Sequence, residues 1–183
     1  SIPFLLSMQN AGQMQNLDFV KNRVADMRRQ ADDLDETIDS LQRMYALMQD
    51  LNSSTHHATG VSQEAMDLSQ QVRGNIADLN ENSKSLRESV EKQQNCDQTC
   101  MALRAAYAAM DGTTLLTDKI NELTPDLTNI DTVTPQLLAM MPAQIAALRS
   151  LQTMMLTLHS TMSGILAQVE EVDAPEPGAD APA

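Results

Sequence analysis

Gln94-Asn95-Cys96-Asp97-Gln98-Thr99-Cys100 lies close to the midpoint of a 183-residue chain and holds its only two cysteines. Long heptad-patterned arms flank it on both sides. The simplest geometry is therefore an all-α, long antiparallel two-helix coiled-coil hairpin with residues 95–100 as its tip. Residues four apart in one helical turn have Cα atoms about 6 Å apart, within disulfide reach, so Cys96 and Cys100 can staple the reversal. Two reduced cysteines that merely sit near a turn are the other reading. A zinc site lacks further ligands here, because His56, His57 and His159 lie far along the arms.

The first arm, 15–94, becomes convincingly helical at Leu17. Apolar residues then recur in steps of three and four through Val20, Val24, Met27, Ala31, Leu34, Ile38, Leu41, Tyr45 and Met48, which is a coiled-coil seam. The pattern slips at Leu51 and thins through Ser, Thr and His residues to Gly60, which costs about 1 kcal/mol relative to Ala inside a helix. It resumes at Val61, Ala65, Leu68, Val72, Ile76, Leu79, Leu86 and Val90. Adjacent His56 and His57 would point about 100° apart on a helix, so solvated side chains are expected rather than a metal site or pH switch.

The second arm, 101–172, repeats the pattern from Leu103 and Tyr107 to Val169 and Val172, but Pro125, Pro135 and Pro142 interrupt it. Each proline removes a helix hydrogen bond and crowds the preceding turn, which predicts a kinked or split arm. With a level tip, residues whose numbers add to about 196 face each other, Val24 opposite Val172 and Met48 opposite Leu148. The weak patch before Gly60 then meets Pro142, with Pro135 just beyond. This predicts a hinge at Gly60, Pro135 and Pro142, midway along a rod of about 110 Å. The alternative is that the same breaks fold the chain into a compact four-helix bundle.

Composition favours thin helical packing over a rounded core, with two Phe, two Tyr and no Trp in the whole chain. A net charge of -13 disfavours nucleic acid and anionic membrane surfaces as partners. Between Thr132 and Val169 the only formally charged side chain is Arg149, and a helix without a charged face is usually buried all round. Met154, Met155, Leu158 and Met162 are therefore the expected association face. The opening segment 1–14 is weakly patterned, and the acidic Pro/Ala-rich tail 173–183 is expected to be disordered. No catalytic constellation, phosphate loop, metal signature or cofactor motif is present, so no enzyme activity is expected. The chain reads as a piece of a longer protein.

Several stretches together resemble a known family. They are Thr153-Met154-Met155-Leu156-Thr157-Leu158-His159-Ser160-Thr161-Met162-Ser163-Gly164, Arg43-Met44-Tyr45, Thr134-Pro135-Gln136-Leu137, the cysteine pair and the opening Ser1 to Met14. Over roughly residues 1 to 166 the chain looks like the extracytoplasmic coiled-coil insertion of the mycobacterial membrane protein large (MmpL) transporters, within the resistance-nodulation-division superfamily. The resemblance implies the periplasmic domain of a proton-driven inner-membrane exporter of siderophores, lipids or drugs, nearest the siderophore-exporter branch. It also implies a Cys96–Cys100 tip disulfide in an oxidising periplasm. Implied partners are the parent porter and transmembrane domains, sister hairpins associated as a trimer, a small accessory membrane protein of the MmpS type and an outer-membrane component. The tip lacks the aromatic residues expected from the family, and the chain diverges after Gly164. A free-standing adaptor hairpin that binds a protein partner is the competing function, and a lipid-binding bundle is a third.

Overall fold

The computed structural model describes residues 16–53, 62–110, 127 and 134–173. They form four helices, α1 (Leu17–Ser53), α2 (Gln63–Glu91), α3 (Gln98–Ala109) and α4 (Pro135–Asp173), with no strand among the described residues. The opening segment, Gly60, Pro125 and residues 174–183 of the tail lie outside the described residues.

The heptad seam explains α1. Val20, Val24, Met27, Ala31, Leu34, Ile38, Leu41 and Met48 are all buried, as the three-four spacing requires. Burial extends beyond that stripe, however. Gln30, Thr37 and Met44, seven apart, are buried too, so α1 is covered on two adjoining faces. The second cover is α2, and the first is α4.

Both neighbours run antiparallel to α1. Along α4, Lys21 forms an ion pair with Glu170, and Gln152 donates to Asp35 Oδ1 at 2.6 Å and to the Ala31 carbonyl at 2.8 Å. Along α2, Glu36 accepts from Gln71 at 3.1 Å and Arg43 pairs with Glu64 at 3.0 Å. The seam residues Ala65, Leu68, Val72, Ile76, Leu79 and Val90 fill that interface. α3 then packs against all three longer helices. α1 is the shared partner around which the others are laid.

One feature departs from the extended rod. The outer halves of the two arms pair antiparallel, but with Lys21 beside Glu170 and Asp35 beside Gln152 they sit five to nine residues short of the expected register. The inner half of the first arm, in contrast, returns along α1, so that Asp97 at the tip hydrogen-bonds Asn16 at the start of α1. A rod would hold those residues roughly 110 Å apart. These contacts give α1 two antiparallel neighbours, α4 and α2. The physical reason is that α1 carries more buried surface than one partner helix can cover.

Prolines act differently at their two described positions. Pro135 opens α4, and Thr134 Oγ1 accepts from the Leu137 amide at 3.2 Å. Proline in a first turn loses nothing, since that amide has no intrahelical acceptor. Pro142 lies inside α4, which continues past it to Asp173.

Candidate functional site

The cysteines sit in a tightly bonded junction. Cys96 and Cys100 form a disulfide with Cα atoms 5.1 Å apart. Asp97 caps α3, its Oδ1 accepting from the Cys100 amide at 2.9 Å and from Thr99 Oγ1 at 3.1 Å. The staple therefore joins the residue before a helix cap to the first turn of that helix. Asn95 takes φ 53°, a left-handed conformation that asparagine tolerates better than most residues.

Polar side chains tie this junction down on both sides. Asp97 N donates to Asn16 Oδ1 at 2.9 Å, and Asn16 N donates to Asp97 Oδ2 at 3.4 Å. Arg104 donates to the carbonyls of Val90, Glu91 and Gln93 at 3.1, 3.0 and 2.8 Å, satisfying the end of α2 with a cation where the helix dipole favours one. Nearby, Arg23 lies 5.4 Å from the Phe19 ring centroid and pairs with Asp26. Tyr107 is buried against this group with its hydroxyl unpartnered. Burial, helped by Asp26 and opposed by Arg23, pushes its phenol from 10.0 up to about 12. At the same end of the bundle, the hydrogen bond to Glu170 raises the Lys21 ammonium above its ordinary value.

The expected association residues divide between inside and outside. Met155 and Met162 are core residues facing the other helices, Leu158 is half-buried, and Met154 is exposed. Met154 and Leu158 line a shallow groove with Ala109, Arg149, Thr153 and Thr157. The stretch of α4 whose only formal charge is Arg149 is thus not buried all round. Its outer side is hydroxyl-rich, and Thr157 and Thr161 donate to the carbonyls of Thr153 and Thr157 four residues back. Such hydroxyls meet water without carrying charge.

Among the described residues, no group of three or more His, Cys, Asp and Glu could hold a metal ion. No described helix is long and apolar enough to cross a membrane.

No family model matches the chain, and no solved structure matches it. Whole-length relatives do match. The chain is 37% identical over 144 residues to probable transport protein MmpL4 of Mycobacterium leprae (strain TN), covering 78% of this chain and 15% of that protein. It is 32% identical over 174 residues to probable transport protein MmpL1 of Mycobacterium tuberculosis (strain CDC 1551 / Oshkosh), covering 94% and 18%.

The chain belongs to the MmpL transporter family. A third MmpL relative, siderophore exporter MmpL5 of the same Mycobacterium tuberculosis strain, is 33% identical over 138 residues, covering 72% of this chain and 14% of that protein. The chain thus spans about a sixth of the length of these MmpL proteins. The resemblance carried by Thr153 to Gly164 and the cysteine pair therefore pointed to the right family. Sequence reasoning missed Asn16, Asp97 and Arg104, whose partners are backbone groups or lie far along the chain.

Proposed function

We propose that this chain is the periplasmic helical domain of a proton-driven MmpL exporter of siderophores, lipids or drugs, and that it acts as a docking module rather than an enzyme. The observation that carries this reading is the Lys21–Glu170 ion pair, which brings the start of α1 beside the end of α4. A domain inserted into a larger chain needs its two ends together, so that the porter fold on either side is left undisturbed. A free-standing adaptor has no such requirement.

In this reading the groove at Met154 and Leu158 meets a sister copy or the accessory or outer-membrane partner, and Gly60, Pro135 and Pro142 remain the expected hinge. The test is made in the parent transporter. Replacing the domain by a short Gly/Ser linker between its ends is expected to leave membrane insertion intact and abolish export. Normal export by the linker variant would sink the proposal. Met154→Asp, which alters an exposed side chain, is expected to reduce both export and crosslinking to a partner without loss of helix. Unchanged crosslinking and export would remove this groove from the docking surface.

An opened form, with α2 swung away from α1 to extend a rod, has one observation in its favour. Closing α2 onto α1 buries the Gln30 amide without a partner, a cost of about 1–3 kcal/mol.

A further inference from the structure

The outer side of α4 differs from the exposed sides of α1 and α2. Ser150, Met154, Thr157, Ser160, Gly164 and Ala167 are exposed along it, and no Asp, Glu, Lys or Arg occurs between Arg149 and Glu170. On α1 and α2 exposed carboxylates recur instead, at Asp32, Glu36 and Asp39 and at Asp67, Asp78 and Glu88. Charges of opposite sign bound the uncharged face. Arg149 stands at its start and Glu171 just past its end, both exposed. Neither has an ion-pair partner among the described residues, although Asp35 and Asp39 line a hollow beside Arg149. Gly164 has open space where a Cβ would stand, so another backbone can approach closely there.

These features choose a partner and a direction. A chain of net charge -13 repels a copy of itself in most orientations, but two copies can meet along this face without opposing carboxylates. Parallel packing would set Arg149 against Arg149 and Glu171 against Glu171. Antiparallel packing sets each arginine beside a glutamate of the other copy. Residues whose numbers add to about 320 then lie opposite, so Met154 meets Ala167 and Thr157 meets Gly164, about a two-fold axis beside Ser160.

We propose that two copies of this chain associate antiparallel through the outer face of α4, with Arg149 of each paired to Glu171 of the other. This rests on the docking reading above and names a second copy as the occupant of the Met154 groove. The face runs for about 30 Å, which gives an interface toward the lower end of stable ones, so association is reversible and follows concentration. With both copies in one membrane the two-fold axis stands along the membrane normal, and α4 of each lies along the membrane plane.

Sedimentation equilibrium of the 183-residue chain is expected to show a monomer–dimer equilibrium. Arg149→Glu sets like charges together and is expected to weaken it about ten-fold or more, and adding Glu171→Arg to that variant restores it. Gly164→Leu meets nothing near its Cβ within the monomer and is expected to abolish the dimer while circular dichroism shows unchanged helix. Ser160→Cys, near the axis, is expected to oxidise to a covalent dimer, and Ser150→Cys, far from it, is not. A monomer at every concentration, association unmoved by Arg149→Glu and Gly164→Leu, or crosslinking through both cysteine variants would each overturn the dimer. The linker replacement reads the docking role separately, so a monomeric chain whose removal still abolishes export would sink the dimer alone.

Discussion

Tyr107 carries a hydroxyl into the packing of α3 with no partner to receive it, at 4% exposure. Its pKa is raised to about 12, so between pH 10 and 12 the unfolded chain gives up the phenol proton more readily than the folded one. Stability attributable to this group is full below about pH 10 and declines as pH rises through the folded value, by about 3 kcal/mol if the whole shift is realised. Tyr107→Phe is expected to flatten that decline in alkaline urea melts and to be neutral or mildly stabilising at pH 7. A variant with an unchanged alkaline slope would contradict the burial argument. Gln30→Leu removes two unpaired polar atoms at once and is expected to raise stability by about 1 kcal/mol or more in urea unfolding at pH 7. Neither residue was legible as strained from sequence. Tyr107 fell on a heptad seam and read as plain core, and Gln30 lay off the seam, where nothing in the α1 pattern announced a second covered face.

At the level of helices, the seams were legible and their partners were not. Three-four spacing identified the buried sides of α1 and α2, and Thr134-Pro135 is a recognisable helix start once the cap is considered. Direction of return was hidden, because an apolar stripe states that a helix packs without stating against which neighbour. The clue available was the stripe of Gln30, Thr37 and Met44, but two of its three members are polar and a hydrophobic pattern passes over them. Gly74 lies within α2 with open space where a Cβ would stand. Gly74→Ala is therefore expected to stabilise the chain by about 1 kcal/mol, measured by thermal or urea unfolding; destabilisation would mean that the position is not an unobstructed helix interior. The disulfide closes a very short loop, so the double change Cys96→Ser with Cys100→Ser is expected to cost no more than about 2 kcal/mol. A much larger loss would show that the staple holds the α1–α3 junction rather than the first turn of α3 alone.

Taken as a whole molecule, the chain places its tip and both described ends at one end of the bundle. Asn16–Asp97 and Lys21–Glu170 are the contacts responsible. The sequence irregularities that suggested a bend were real features of the pattern, at the slip after Met48 and at the prolines of the second arm. Their consequence depends on the competition between α2 covering α1 and α2 extending away from it, which a one-dimensional pattern does not weigh. Small-angle scattering on the monodisperse chain, with circular dichroism to establish helix, measures that competition directly. A radius of gyration close to the roughly 16 Å of a compact domain of this length is expected. A helical particle with a radius above roughly 30 Å would contradict the folded-back packing and return the extended rod in its place.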